Sequence, residues 1–518
     1  MTSRLLLALC LPAIVSAQRA DVRIAGGLVH DGRGGAPRVA DIYLRGDRVV
    51  GVGPGGWSAD RTIDARGLIV APGFIDPHVH ADGELGSRDR VRRAAPFAVM
   101  QGVTTVITGN DGQGPVDVAG RLAAWQRDSI GVNAAMLVGH GRVRGEVIGP
   151  HDRAPTASEL SLMASLVDSA MRGGALGLSS GLYYAPGAFA NTDEVVALAR
   201  VAWWHGGLYD THIRDESSYS TGLLASITEA LEIGRRSGIP VNIAHIKALG
   251  VDVHGMAPAI IALIREARAA GQQVTADQYP WTASSTGLSA ALLPRWAEAG
   301  GRDSLLARLG DPGVRDRIRG EMRDNLRRRG GAASLLLTGV SGPDALAAAA
   351  TGRTLAEFAA ATSADPIEAA LVILAAGGAR VASFNMVEDD IRQLMAEPFV
   401  MTSSDGTGGH PRLFGSHARK LRRYVLDQPV ITMERMIAAS SRQVAEAFDL
   451  VDRGCLEPGC FADVIVFDPA TIREQATYLE PTLPAVGMRW VFVNGVAVVA
   501  EGAMTGALPG RGLARVVR

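Results

Sequence analysis

Two histidines spaced two apart, His78 and His80, close the run Ala71-Pro72-Gly73-Phe74-Ile75-Asp76-Pro77-His78-Val79-His80. After the Pro-Gly turn, Phe74 and Ile75 read as the buried part of a short strand, and in extended backbone residues two apart point to one side. Two imidazoles on one side can hold a metal ion. They can equally be polar strand-end residues, so the pair carries chemistry only if further donors meet it. A metal-using hydrolase needs imidazoles or carboxylates to hold the cation, an open position for water, and a carboxylate that moves the water's proton to the leaving group. His78, His80, His212 and His245 offer a ligand set, with Asp111 as an anionic, bridging donor if two metals bind. Asp405, in a Ser-Asp-Gly turn, is the candidate general base and acid, although Asp before Gly also serves simply to form a turn.

These residues must be brought together by the elements that carry them. Buried apolar runs alternate with helical stretches over most of the chain, the pattern of βα units and a parallel sheet. Eight candidate strands fall at residues 74–80, 104–108, 134–138, 175–179, 208–213, 241–246, 274–278 and 399–404. Eight such strands predict an α/β fold, a (β/α)8 TIM-like barrel, whose active site lies at the C-terminal strand ends. The polar residues cluster at those ends: Asn110 and Asp111, His140, Ser179 and Ser180, His212 with Glu216, His245 with Lys247, Asp277 with Tyr279, and Asp405. Packing alone does not place histidines and carboxylates at the same end of most strands.

Short alternating segments before residue 71, such as Val22-Arg23-Ile24 and Asp41-Ile42-Tyr43-Leu44, predict a small antiparallel β unit, and similar strands return at 463–467 and 489–495. Neither end has enough strands alone, so the expected arrangement is one small β-sandwich formed by both termini (18–71 and 451–518), with the barrel (72–450) inserted between them. The seventh connection, 281–397, is too long for one crossover. It contains amphipathic helices at 354–361 and 367–374 and a strand-like run Leu335-Leu336-Leu337, and reads as a lid over the site or as an added lobe.

Residues 1–17 have the layout of a secretory signal: Arg4, an apolar core from Leu5 to Val15, and a small-residue cleavage site ending at Ala17. The expectation is a periplasmic or secreted protein. The core is too short for a permanent span, and Leu9 before Cys10 does not fit a lipoprotein signal, so no stable membrane anchor is expected. Of the 3 cysteines, Cys455 and Cys460 would remain after cleavage, flanking Leu456-Glu457-Pro458-Gly459. An oxidising compartment would let them pair; they can also stay as free thiols. With a net charge of -1 over 518 residues there is no basic field for nucleic acid, which points to a small-molecule partner. The one basic run, Arg419-Lys420-Leu421-Arg422-Arg423, is expected to be a solvated helix face.

The combination of motifs resembles the amidohydrolase superfamily, and within it the D-aminoacylase (N-acyl-D-amino-acid deacylase) group. The resemblance covers nearly the whole mature chain. It rests on Gly73-Phe74-Ile75-Asp76-Pro77-His78-Val79-His80, Gly102-Val103-Thr104-Thr105-Val106 leading to Gly109-Asn110, Gly139-His140-Gly141, Gly181-Leu182-Tyr183-Tyr184-Ala185-Pro186-Gly187, Thr211-His212-Ile213-Arg214-Asp215-Glu216, Asp277-Gln278-Tyr279-Pro280, Ser404-Asp405-Gly406 and His410-Pro411-Arg412. It implies zinc (one or two ions), a β-sandwich built from both termini, and hydrolysis of an N-acyl amide by metal-activated water. Carried over by position, His78, His80, His212 and His245 would be ligands and Asp405 the acid/base. Tyr184, Lys247, Tyr279, Ser285 and Arg412 match groups that bind the substrate carboxylate. One departure stands out: the group carries Cys after Gly-Asn as a metal ligand, where this chain has Asp111, a harder donor. Hydantoinases and dihydroorotases use a carboxylated Lys from strand four, and Leu178-Ser179-Ser180-Gly181 has none.

The expected activity is removal of the acyl group from N-acyl-D-amino acids. Two alternatives stay open at this point: a dipeptidase or other linear-amide hydrolase on the same scaffold, and a catalytically silent solute-binding protein.

Overall fold

The computed structural model describes residues 18–54 and 57–516, so the signal sequence expected at 1–17 lies outside the described residues. Eight short strands follow the expected order: β1 (Phe74–Asp76), β2 (Val103–Thr108), β3 (Asn133–Met136, resuming as Val138–Gly139), β4 (Gly177–Gly181), β5 (Leu208–His212), β6 (Val241–Ile243), β7 (Val274–Gln278) and β8 (Val400–Thr402). All neighbouring pairs among them are parallel. They are buried on both faces, as parallel strands wrapped by helices must be.

The strands fall into a three-stranded sheet, β1 to β3, and a six-stranded sheet from Val138–Gly139 to β8. The break lies inside the third strand at Leu137, whose N–H still reaches Thr108 O at 2.9 Å. On the other side, a parallel bridge joins Val79 to Gly406, just beyond the ends of β1 and β8. Helices between strands cover the outside, each started by a local signal. Ala157–Arg172, for example, opens on a capping box in which Thr156 and Glu159 satisfy each other's backbone N–H.

Strands from both chain ends share one sheet of nine, in the order Ala503–Met504, Val496–Ala500, Met488–Val493, Val464–Phe467, Ile69–Pro72, Arg19–Val29, Arg38–Arg45, Arg48–Val52, with Ser58–Asp64 also paired to Arg19–Val29. The expected antiparallel N-terminal unit is corrected here. Arg19–Val29 runs antiparallel to Arg38–Arg45 but parallel to Ser58–Asp64 and to Ile69–Pro72. The long first strand is a common template for three partners, an arrangement that alternation within one segment does not encode.

Within the long seventh connection a lobe has its own core, in which Leu292, Ile318, Met322, Leu337, Phe358 and Ile373 are buried together, while Trp281 at its start and Ile391 and Leu394 near its end pack into the main core. Its antiparallel sheet has the order Ala283–Gly287, Ala379–Phe384, Leu335–Val340. The helix Pro366–Ala376 is apolar nearly all round and largely buried rather than amphipathic. The basic run is also corrected: Lys420 and Leu421 are buried, and Lys420 Nζ donates to Thr402 Oγ1 at 2.9 Å behind β8. Arg419, Arg422 and Arg423 pair with Glu474, Asp427 and Glu388. Cys455 and Cys460 are joined in a disulfide, with Cα atoms 6.1 Å apart. Among the described residues, no single helix is long and apolar enough to cross a membrane.

Candidate metal centre

Strand β1 ends at Asp76, and the two histidines lie just past it on a backbone tied to β8. Asp405 N–H donates to His78 O at 2.8 Å, and His80 N–H donates to Gly406 O at 2.9 Å. Asp76 Oδ1 accepts from the N–H groups of His78 (3.2 Å) and Ser404 (3.0 Å). This lacing brings Asp405 to the His-x-His pair from the far end of the catalytic segment.

Donor atoms of His78, Asp111, His245 and Asp405 all lie within 4.8 Å of one another. Asp111 Oδ1 is 3.4 Å from His78 Nε2 and 3.3 Å from His245 Nε2, while its Oδ2 is 3.2 Å from His80 Nε2. Asp405 Oδ1 is 3.4 Å from His80 Nε2 and 3.7 Å from His78 Nε2. His212 stands beside them, its ring 4.6 Å from that of His245. Its Nδ1 lies 3.0 Å from Ile213 O, an orientation that leaves Nε2 for the cavity. His212 and His245 form a second donor group with Glu216, whose carboxylate is 3.7 Å from His212 Nε2 and 3.1 Å from His245 Nδ1. Glu216 was visible in the Thr211-His212-Ile213-Arg214-Asp215-Glu216 motif, four residues after a histidine, but nothing in spacing alone told it apart from Asp215. Asp215 instead caps its own loop by accepting from the N–H groups of Ser217, Ser220 and Gly222.

The electrostatics fit a cation. Burial works against protonating His80, yet hydrogen bonding to Asp111 and Asp405 raises its pKa to about 9. Burial and then Lys247 oppose protonation of His245, but Asp405, Asp111 and Glu216 outweigh them and raise it to about 10. Burial also pushes the two aspartates up, but His78 and His245 hold Asp111, and Arg412 with His245 holds Asp405, well below the usual carboxylate range. Both ring nitrogens of His78 are buried without a hydrogen-bond partner. A pocket whose ionised carboxylates draw protons onto its imidazoles presents the same negative field to a divalent cation, which displaces those protons on binding. With His78 left without a hydrogen-bond partner, the donors fit a metal, and the all-N/O set suits zinc.

Backbone strain sits at the same place. Asp111 (φ 56°), His245 (φ 36°) and Asp405 (φ 45°) all occupy the left-handed region that non-glycine residues avoid. Each is held from outside. His245 N–H donates to Asp277 Oδ1 at 2.9 Å, and Asn242 Nδ2 bridges Asp277 and Asp210 at 2.7 Å each. Asn110 Nδ2 donates to Pro77 O and to Asp210 Oδ2, fixing the turn that presents Asp111. Ser179, which lies within β4 rather than after it, serves this turn too, since Gly112 N–H donates to its Oγ at 3.1 Å, whereas Ser180 pairs with Tyr209 and Thr211. His140 is not brought to the centre; its Nε2 is 2.9 Å from Glu194, which also binds Arg144.

The centre opens into a cavity of about 310 Å³ between the strand ends and the lobe, lined among others by His80, Asp111, Tyr184, His212, His245, Tyr279, Ser285, Asp405 and Arg412. All five residues expected at the substrate carboxylate line it. Two of them are already engaged: Lys247 Nζ is 2.5 Å from Glu216 Oε1, and Arg412 Nη1 is 2.8 Å from Asp405 Oδ2, though not aligned on it as a hydrogen bond. Tyr279 is buried with its hydroxyl unpartnered beside Arg412. Burial holds both Tyr184 and Tyr279 far above the ordinary tyrosine pKa, so both stay neutral donors.

Residues 61–499 match the model of the amidohydrolase family. The chain is 34% identical over 523 residues to a D-aminoacylase of Alcaligenes xylosoxydans xylosoxydans, covering 96% of this chain and 98% of that one. It is also 34% identical over 525 residues to an N-acyl-D-glutamate deacylase of the same organism, covering 96% and 97%. Its structure is similar, with a TM-score of 0.82 and 32% identity over 96% of this chain and 100% of the other, to the N-acyl-D-glutamate deacylase of Bordetella bronchiseptica. That enzyme was solved with zinc and a phosphonate inhibitor that mimics the tetrahedral intermediate of its reaction.

Proposed function

Since the chain belongs to the amidohydrolase family, we propose that it is a zinc-dependent hydrolase of N-acyl-D-amino acids, releasing a carboxylate and a free D-amino acid. The observation that carries this reading is the convergence of His78, Asp111, His245 and Asp405 at the strand ends of a chain similar over its length to two D-specific deacylases. His78, His80, His245 and Asp111 are the residues to hold zinc, with His212 and Glu216 beside them for a second ion. When bound, zinc supplies Lewis-acid activation of the amide carbonyl and of water.

The chain's own groups do the rest. Asp405, ionised beside Arg412 and the imidazoles, takes the proton of the attacking water and returns it to the leaving nitrogen. Tyr279, Ser285 and Tyr184 donate to the substrate's α-carboxylate. Lys247 keeps Glu216 ionised and, 2.8 Å from His245 Nδ1, fixes the tilt of that ring. Arg412 reaches the same carboxylate only by sharing its guanidinium with Asp405.

In the finer reading, the eight parallel strands make one (β/α)8 barrel, supported by the Val79–Gly406 bridge between first and last strands, and the nine-stranded terminal sheet makes the β-sandwich beside it. The layout of residues 1–17 supports export to the periplasm or beyond; a secreted-fraction protein whose N-terminus is still Met1 rather than Gln18 would refute that. The function itself is tested by elemental analysis of the purified protein together with a panel of N-acetyl-D, N-acetyl-L and dipeptide substrates. Zinc and exclusive D-turnover are expected, and exclusive cleavage of L-configured substrates would sink the reading.

A further inference from the structure

The cavity contains an excess of positive charge that the chemistry above does not use. It is lined by three carboxylates, Asp111, Glu216 and Asp405, and by four cations, Lys247, Arg329, Arg380 and Arg412. Glu216 pairs with Lys247, Asp405 pairs with Arg412, and Asp111 is committed to the histidines. Among the described residues, neither Arg329 nor Arg380 has a carboxylate within ion-pair distance. Arg380 is exposed and stands 3.4 Å from Ser285 Oγ, at the end of the cavity where Arg412 also meets Ser285. That end is the one assigned above to the α-carboxylate of an N-acyl-amino acid.

Arg329 belongs to the other end, and it is buried, with 1% of its surface exposed. Its guanidinium donates to Ala291 O at 3.1 Å and to Tyr183 OH at 3.2 Å, and the Asn385 amide, with its oxygen turned toward Nη1, accepts at 3.2 Å. Every partner is neutral. Two of its five N–H bonds remain unengaged. Beside it stands Tyr219, whose ring is 5.6 Å from Arg329 Cζ and whose hydroxyl is buried without a partner. Tyr183 stacks on His212 at 5.4 Å, which places this end next to the metal ligands. A guanidinium that only fastened the lobe would be buried at a cost a neutral side chain avoids, and it would not come with a second, unanswered donor on a residue that lines the same cavity.

We propose that Arg329 and Tyr219 form a second anion subsite, so that the preferred substrate is a dianionic N-acyl-D-amino acid carrying one carboxylate besides the α-carboxylate. This rests on the deacylase reading of the site. Overall similarity does not select the substrate's side chain, since identity to the D-aminoacylase and to the N-acyl-D-glutamate deacylase is the same 34%. Arg supplies a planar fork that takes a carboxylate by two N–H groups at once, and a site built for such a group rejects a neutral isostere strongly.

The second carboxylate can come from the side chain or from the acyl group, and two matched pairs separate these sources: N-acetyl-D-glutamate against N-acetyl-D-glutamine, and N-succinyl-D-leucine against N-butyryl-D-leucine. With the full-length, zinc-replete protein, kcat/KM for the charged member of at least one pair is expected to exceed its neutral partner by about 10- to 100-fold. Arg329→Gln and Tyr219→Phe should collapse that ratio toward one, and Arg329→Lys, which keeps charge but not the fork, should retain part of it. Charged and neutral members hydrolysed within about twofold of each other by the parent protein would overturn the proposal. So would an Arg329→Gln protein that loses both members of a pair equally. Should that variant not fold, the parent ratios and Arg329→Lys still decide. If none of the four substrates is hydrolysed, the deacylase reading itself fails, an outcome distinct from turnover without charge preference.

Discussion

Replacing Asp405 with Asn keeps the size and shape of the side chain and removes its charge, and the structure assigns that charge two jobs. One is proton transfer, typically worth about 100- to 10,000-fold in rate, or roughly 3–5 kcal/mol of transition-state stabilisation. The other is to balance Arg412, which is 2% exposed with Nη1 2.8 Å from Asp405 Oδ2. Removing one partner of a buried ion pair strands the other, at about 3–5 kcal/mol of stability. The two losses are of the same size, so an inactive Asp405→Asn protein alone does not separate them. The double variant Asp405→Asn/Arg412→Met removes the stranded charge as well. It should recover most of the Tm lost by the single variant while kcat stays at the single variant's level, with zinc content near the parent's in both. The assays are saturating-substrate rates, elemental analysis and thermal unfolding. If Asp405→Asn keeps kcat within about threefold of the parent, or if the double variant regains turnover together with stability, Asp405 is not the proton carrier.

Further outcomes follow from other contacts. Chelation should abolish turnover and zinc should restore it; His245→Ala should fail to retain zinc, whereas His140→Ala, whose ring is spent on Glu194, should bind zinc in full by elemental analysis. Lys247→Met leaves Glu216 buried beside two histidines without its cation, and chemical denaturation should register a loss of about 3–5 kcal/mol. Cys455→Ser/Cys460→Ser opens a loop closed over a separation of 5 residues and should cost about 2 kcal/mol by loop entropy, read as a shift in denaturation midpoint. Burial lowers the pKa of Lys420 from 10.5 to about 7, with Arg435 adding to it. Between those values the unfolded chain holds the proton and the folded one does not, so Lys420 makes stability rise with pH from about 7 to about 10.5. Lys420→Met should therefore stabilise the protein at pH 6 more than at pH 10, and equal effects at both would show that Lys420 does not titrate in this window.

What was readable from the chain is what local chemistry writes into it. The strand at Asn133–Met136 is marked by the apolar run Ala134-Ala135-Met136-Leu137-Val138, and the lobe by the excess length between Trp281 and Glu397. His78, His80, Asp111, His212, His245 and Asp405 stood out because each ends or follows a strand of one parallel set, and parallel topology sends all those ends to one side. What stayed hidden depends on pairs distant in sequence. Lys247 and Arg412 look like free cations for a substrate until the fold sets Glu216 and Asp405 against them. Arg329 follows several arginines at the end of a charged helix, and only lobe packing carries it to Tyr183 and Tyr219. Lys420 lies in a run of basic residues that reads as solvent-facing, and its burial follows from the position of Thr402 on another element.

The departure at position 111 gains a physical sense from its surroundings. The resemblance to D-aminoacylases leads to a cysteine there, and a thiolate offers one soft donor atom. Asp111 offers two hard ones and uses both, with Oδ1 toward His78 and His245 and Oδ2 toward His80. Its backbone also stands at φ 56° between Asn110 and Gly112, a left-handed conformation that Asp adopts several times more readily than most side chains. The turn therefore tolerates the residue it carries, and the carboxylate faces the three imidazoles with two separate oxygen atoms where a thiolate would present one sulfur. With no sulfur in the set, selection for zinc over harder divalent ions falls to those imidazoles and to the rigidity with which Asp277, Asn242 and Asn110 hold the strained backbone at His245 and Asp111. Metal choice in this protein is then a property of the buried amide and carboxylate network beneath the site as much as of the ligands above it.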